Sequence, residues 1–391
     1  MRKALAPLLI SLGSLLLALG LGEVGARIII PASQEAKATK VRERPKLFFM
    51  PKHSPTLQDQ AYSRAKPEGV FRIAVIGDSF SFAPQMQYDD SFSKRLERFL
   101  NLNSASSATD TNSDAQSIPG AMPVGSETLT AQVLNFGTPG FSTLHEVTTL
   151  DEALRYSPDL ILLQITLNDA QLRPFKMEPI EVQRKFGKVP LDVEGSWFLR
   201  NSRLVRWVAE RIHNQQSVNA YIQYHYDLFS NPESGGTFRS ALDQIRARVA
   251  EAASKQQEKH TPRLAAVVFP LFDFPLNDNY PFLALHQTIG ALLKERNIPT
   301  LDLAQRFKGI PVERLQLIPG KDSHPNEIAH RIAAEQILTW LVKRRFVPAS
   351  FAPERVFKRR DHVKEPAISA PFASRPNKGA PNNPTQGANS L

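Results

Sequence analysis

Residues 75–82 read VIGDSFSF and follow Phe71-Arg72-Ile73-Ala74. The stretch 73–76 is short, apolar and mostly β-branched, which predicts a strand buried on both faces. The run stops abruptly at Gly77-Asp78-Ser79. Gly, Asp and Ser all favour turns, so the octet taken alone reads as a turn. The same residues also suit a nucleophilic serine at the C-terminal edge of a parallel sheet, where open α/β sheets form their ligand crevices. The rest of the chain has to separate the two readings.

Two further apolar runs end in the same way. Residues 133–136 (VLNF) restart a strand that stops at Gly137-Thr138-Pro139-Gly140, and 159–165 (DLILLQI), the most apolar strand, stops at Thr166-Leu167-Asn168-Asp169. Residues 263–269 and 299–301 read as two more strands. Helical spacing of apolar residues recurs over 90–100, from Ser142 to about Tyr156, over 281–296 and over 326–345. Strands alternating with helices predict βαβ units around a parallel sheet. The C-terminal strand ends then share one edge, and a fourth polar segment, Lys321-Asp322-Ser323-His324-Pro325-Asn326, precedes the last helix.

Acyl transfer requires a hydroxyl to attack, a base within hydrogen-bond reach, a group that orients the base, and donors for the oxyanion. Ser79 is a hydroxyl at a strand end. His324 has an unperturbed pKa near 6.5, which suits a base. Asp322 can hold the imidazole in one tautomer. The amides of Ser79 and Gly140 and the side-chain NH₂ of Asn168 can donate to the oxyanion, and Gly140 lets a carbonyl approach the backbone closely. Asp302, distant in sequence, is a second carboxylate that folding could bring to His324. His145, His286 and His330 read as structural.

These four blocks resemble the SGNH (GDSL-type) hydrolase family. Gly77-Asp78-Ser79-Phe80 is similar to its first block, 135–140 (NFGTPG) to its second, Asn168-Asp169 to its third, and 322–326 (DSHPN) to its last. The resemblance covers roughly 70–346. It implies an α/β fold, a three-layer α/β/α sandwich with a mostly parallel five-stranded sheet. It also implies Ser79 as nucleophile, His324 as base, and Gly140 and Asn168 as oxyanion donors. Two positions depart from the family pattern. Thr166 stands where the third block has glycine, and its β-branch predicts a narrower crevice or a stiffer turn. Lys321 stands three residues before His324, where the family has its aspartate, and Asp322 is only two before.

The expected activity is that of a serine esterase acting on, or transferring, an acyl group of a carbohydrate or lipid ester through an acyl-enzyme. The alternative is a non-catalytic binding module on the same fold. No cluster has metal-ligand spacing, and no phosphate loop or nucleic-acid signature occurs, so no metal, cofactor or nucleic-acid partner is expected.

The flanks are of a different character. Residues 4–22 carry no charge, are rich in Leu, Ala and Gly, and follow Arg2-Lys3. That order suits a signal peptide or membrane anchor over 1–30 and predicts a body on the extracytoplasmic, periplasmic side, or secreted if the segment is cleaved. Arg27, Lys37, Lys40 and Arg42 lie just beyond and count against export on the positive-inside rule. Residues 31–69 read as a polar linker. Within the domain, 103–128 reads as a disordered insertion, and 171–236, with Trp197, Trp207, Tyr221, Tyr224, Tyr226 and Phe229, as a helical cap. Its aromatics either pack under the cap or wall an apolar substrate pocket. Residues 347–391 read as a disordered basic tail. The net charge of +10 owes much to Lys343-Arg344-Arg345 and Lys358-Arg359-Arg360, which read as solvated surface. Cysteine is absent, which excludes thiolate chemistry and disulfides.

Overall fold

The apolar runs read from the sequence pair into one sheet. In the computed structural model, which describes residues 2–30, 59–110, 129–174, 191–255 and 261–352, these are β1 (Val70–Gly77), β2 (Thr130–Gly137), β3 (Leu160–Ile165), β4 (Arg263–Val268) and β5 (Thr300–Asp302). Their order is β2-β1-β3-β4-β5, and every pairing is parallel. β3 is buried throughout, as its unbroken apolar sequence requires of a strand covered on both faces.

The helices follow from the crossovers. Right-handed connections from β1 outward to β2, and from β2 back across β1 to β3, must pass over opposite faces of the sheet. The first is α3 (Phe92–Asp110), which packs with α9 (Glu327–Lys343). The second is α4 (Thr143–Leu154), which packs with α7 (Pro232–Lys255). α8 (Leu283–Glu295) connects β4 to β5. The result is the expected three-layer α/β/α sandwich. The chain reverses direction across the sheet at β1, so the end of β1 is a topological switch point, where such sheets open their ligand crevice. Outside the sheet, β6 (Gln316–Ile318) and β7 (Asp322–Pro325) form an antiparallel hairpin that precedes α9. The sequence reading had no strand there.

Several boundaries differ from those expected. The last part of the linker, 59–69, packs on the body. Asp59 is buried, pairs with the buried Lys94 at 3.0 Å and accepts from the Asn135 amide of β2 at 2.9 Å. α3 runs on to Asp110, into the stretch expected to be a disordered insertion, and the rest of that stretch, 111–128, lies outside the described residues. The start of the tail folds back, because Phe351 is fully buried against Phe71 of β1. Residues 353–391 lie outside the described residues, as do 31–58 of the linker and 175–190 of the cap. The described part of the cap is mainly helical from Trp197 on, with α5 (Trp197–Asn201) and the long α6 (Arg203–Ser230). Its aromatics divide. Phe229 is buried and Tyr221 and Tyr226 pack on the core, whereas Trp197 and Trp207 are exposed.

α1 (Arg2–Ile29) is a single helix. Its segment 10–29 has a mean hydropathy of 1.6 and is almost entirely uncovered by the rest of the chain, so it is long and apolar enough to cross a membrane.

Candidate active site

Ser79 opens a single-turn helix, α2 (Ser79–Phe82), directly after β1. Asp78 caps that turn, its Oδ1 accepting from the Phe80 amide at 2.9 Å. A long-range contact holds the turn from below. Gln164, the next-to-last residue of β3, uses its Oε1 to accept from the amides of Asp78 (3.2 Å) and Ser81 (3.0 Å) and from Ser81 Oγ (2.7 Å). A Cβ on residue 77 would lie 2.3 Å from that oxygen, so the close approach requires Gly77.

The second block meets the first at the sheet edge. Gly77 and Gly137 are paired across β1 and β2, and the Thr138 amide donates to Gly77 O at 2.9 Å. Thr138-Pro139-Gly140-Phe141 then forms a turn closed by Phe141 N donating to Thr138 O, with Gly140 at φ +78°. Proline followed by a glycine of positive φ is the signature of a type II turn. The third block joins through α4. The Thr143 amide donates to Asp169 O at 3.2 Å, and Ser142 Oγ donates to Gln171 O at 2.8 Å.

Thr166 is a hub in this arrangement. Its Oγ1 lies 2.8 Å from Asp78 Oδ2 and also hydrogen-bonds Asn168 Oδ1, while Asp169 Oδ2 accepts from the Thr166 amide. Burial pushes the Asp78 carboxyl up, against the opposing hydrogen bonds from Phe80 and Thr166, and burial with the nearby Asp78 pushes Asp169 well up. Asn168 turns its carbonyl oxygen to Thr166, so its side-chain NH₂ is the donor end.

The fourth block arrives on the β6–β7 hairpin. Asn326 fixes it, its side-chain NH₂ donating to the carbonyls of Arg314 (2.9 Å) and Gln316 (3.0 Å) while its Oδ1 caps α9. His324 packs on Phe80, with ring centroids 5.7 Å apart. Residues i and i+2 of a strand lie on the same face, and Asp322 and His324 are so related in β7. Asp322 Oδ1 lies 2.7 Å from His324 Nδ1 and accepts from the His324 amide at 3.0 Å. His324 Nε2 lies 3.0 Å from Ser79 Oγ. The two-residue spacing therefore works because the segment is extended. Three polar strand ends and a fourth block on the β6–β7 hairpin thus meet at the switch point of a five-stranded parallel sheet. This is the three-layer α/β/α arrangement around a five-stranded parallel sheet that the resemblance to the SGNH hydrolases implies.

No family model and no curated protein matches this sequence. Solved structures similar to it include an aryl esterase from M. smegmatis, 13% identical over 68% of this chain and 98% of that one, with a TM-score of 0.33. A catalytic mutant of an acetylxylan esterase from Geobacillus stearothermophilus is 14% identical over 73% of this chain and 97% of its own, also at 0.33. A member of the lipolytic G-D-S-L family from Veillonella parvula is 12% identical over 68% and 96%, at 0.31. Identities this low concern the fold alone. With TM-scores near 0.3 they carry no argument, and the resemblance to the SGNH hydrolases rests on the four sequence blocks.

The electrostatics of the His324 pair have a definite sign. Burial pulls His324 down, but the hydrogen bond and charge of Asp322, with Asp78 and Asp273 beyond it, outweigh that and hold it above its ordinary value. Burial pushes Asp322 up, and the hydrogen bonds and charge of His324 outweigh that and hold it below the usual carboxylate range. The alternative orienting group, Asp302, is engaged elsewhere, 3.0 Å from His286 Nδ1. His330 is buried and accepts at Nδ1 from the Phe92 amide, and burial pulls it down to about 3. His145 contacts Ser142 at the start of α4. Gln164 and the linking role of Thr166 were absent from the sequence reading. A polar residue inside DLILLQI was the only signal for Gln164.

Proposed function

We propose that this protein is a membrane-anchored serine esterase whose nucleophile is Ser79, with its body on the extracytoplasmic side of the membrane. The reading is carried by one observation, the continuous hydrogen-bond path from Ser79 Oγ through His324 to Asp322. With Nδ1–H donating to Asp322, His324 Nε2 carries the lone pair. It takes the proton from Ser79 Oγ as that oxygen attacks the ester carbonyl carbon. The oxyanion formed is met by the amides of Ser79 and Gly140 and the NH₂ of Asn168. The Ser79 amide is in the first turn of a helix and so has no intrahelical acceptor. Collapse expels the alcohol with the proton from His324 and leaves an acyl-Ser79 ester. Water, activated by the same imidazole, releases the acid; a carbohydrate hydroxyl in its place would make the reaction a transfer. The anchor directs the activity to esters of the cell envelope, either O-acetylated polysaccharide or lipid. Comparing p-nitrophenyl acetate, long-chain esters and sugar acetates as substrates tests this, and turnover of none of them would overturn the esterase reading.

Since the working base is neutral His324, kcat/KM for p-nitrophenyl acetate should rise with pH. The midpoint should lie above about 6.5, the value of an unperturbed imidazole, because Asp322 raises His324. A rate that is flat across pH 5 to 9, or that falls with pH, would contradict the assignment. Replacing Asn168 by alanine should lower kcat by about 10² to 10³ with little change in KM, since its donor acts on charge that develops in the transition state. A change in KM alone would make Asn168 a substrate-binding group instead.

A further inference from the structure

The C-terminal end of α1 is locked to the junction of α5 and α6. The Glu23 carboxylate accepts from Ser202 Oγ at 2.7 Å and from the amides of Arg203 and Leu204 at 3.0 Å each. It thereby acts as an N-terminal cap of α6 supplied by another helix. Arg203 reciprocates, donating from Nη1 to the carbonyls of Arg27 (2.9 Å) and Ile30 (3.2 Å), which terminate α1. Arg27 donates to Asn201 O at 2.8 Å. Gly22 allows the helices to touch, because a Cβ there would lie 3.1 Å from Leu204 Cδ2.

Around this lock lies an apolar surface that nothing among the described residues covers. Trp197 and Phe198 of α5 are 63% and 64% exposed, and Trp207 and Ile212 of α6 are 40% and 54% exposed. Val205, Val208 and Ile212 follow at helical spacing and share one face of α6. Arginines are interleaved with this surface at 200, 203, 206 and 211, against a single Glu210 over 196–212. The Arg211 guanidinium lies 4.7 Å from the Trp207 ring centroid.

We propose that α5 and the N-terminal half of α6 lie in the bilayer interface as a second membrane contact, with the apolar side chains in the acyl boundary and the arginines among anionic phospholipid headgroups. Position carries the inference, and it rests on the reading of α1 as the anchor. Within the apolar segment 10–29 of α1 the charges begin at Glu23 and Arg27, and the uncharged run 4–22 is by itself about long enough to span, so in a spanning helix Glu23 marks the membrane surface. Ser202, Arg203 and Leu204 touch Glu23 and must be at that surface too. At 1.5 Å per helical residue, Ile212 is only about 12 Å along α6 from Leu204. Trp and Arg at such a boundary are the residues that interfaces favour, the ring at headgroup level and the guanidinium extended to the phosphates. α6 also reaches the loops at the candidate active site. Tyr224 Oη accepts from Gln171 Nε2 at 2.8 Å, beyond β3, and Tyr221 Oη donates to Asp273 at 2.9 Å, beyond β4. The lock and the interfacial contact together fix the height of the Ser79 crevice above the bilayer.

The test uses the full chain reconstituted in phosphatidylglycerol-containing vesicles with lipids brominated near the top of the acyl chain. The protein has three tryptophans, and the third, Trp340, is buried in α9. Bromolipid should quench at least about a third of the wild-type tryptophan emission. The double variant Trp197→Phe/Trp207→Phe, which keeps Trp340, should show almost no quenching. Emission that is open to aqueous acrylamide and untouched by bromolipid would overturn the proposal. Shielding from both quenchers would also overturn it, in favour of a protein partner on this face. Carbonate extraction of the same vesicles separates the two levels. A chain released by carbonate refutes the anchor and the second contact together, whereas a retained but unquenched chain refutes the second contact alone.

Discussion

Ser79→Ala is expected to remove esterase activity, lowering kcat by about 10⁶, the scale on which a serine nucleophile fails when its oxygen is deleted. The fold should be indifferent. Ser79 sits at the first position of a one-turn helix, and its side-chain contact is with His324. Loss of one partly exposed hydrogen bond costs about 1 kcal/mol, a fall in Tm of about 2 to 4 °C for a domain of this size. Activity and melting therefore separate cleanly in this variant. A protein that loses both at once would show Ser79 to be a structural residue, and one that keeps its turnover would move the nucleophile elsewhere.

Asp322→Asn is expected to lower kcat by up to about 10⁴, as the equivalent change does in serine proteases. The substitution keeps the shape but lets the amide NH₂ donate to His324 Nδ1. The imidazole proton then moves to Nε2, the nitrogen that must accept from Ser79. The same change removes the carboxylate that holds His324 above its ordinary value, so the midpoint of the residual pH–rate profile should move down. Stability responds with opposite signs at the two ends of the pair. The lowered Asp322 contributes stability above about pH 4 that is lost as pH falls through its folded value. The raised His324 contributes stability below about pH 6.5 that is lost as pH rises through its folded value. The charged pair is thus complete between these limits, and catalysis needs its upper edge, where the imidazole is neutral. If Asp322→Asn kept kcat within a few-fold while His324→Ala was inactive, another group would be orienting the ring.

The sheet was legible because its strands are short, apolar and punctuated. Residues 73–76 and 160–165 admit few alternatives to buried strands, and each stops at a polar block. The candidate site was legible in outline, since strand ends of a parallel sheet share an edge whatever the helices between them do. What brings the blocks together was not legible. Gln164 lies 86 residues from Asp78 in sequence and is one polar letter in an apolar run, so only the pairing of β1 with β3 gives it a meaning. Thr166 was read as a steric departure from the family's glycine, yet its hydroxyl links Asp78 to Asn168. The spacing of Asp322 and His324 looked irregular for a loop and became regular once the segment proved to be a strand. Trp197 and Trp207 could not be sorted from Tyr221 and Phe229 by composition. They flank residues 202–204, which meet α1 from some 180 residues away in sequence, a tertiary contact that composition does not show.

The central claim is that Ser79 forms the covalent intermediate. Incubation of the full chain with a fluorophosphonate probe, followed by peptide mass spectrometry, tests it most directly. The activated hydroxyl should displace fluoride and carry one phosphonyl group on the peptide containing 75–82, and labelling should fall away in His324→Ala. Modification at any other serine, or an unmodified Ser79 in a chain that hydrolyses p-nitrophenyl acetate, would contradict the account.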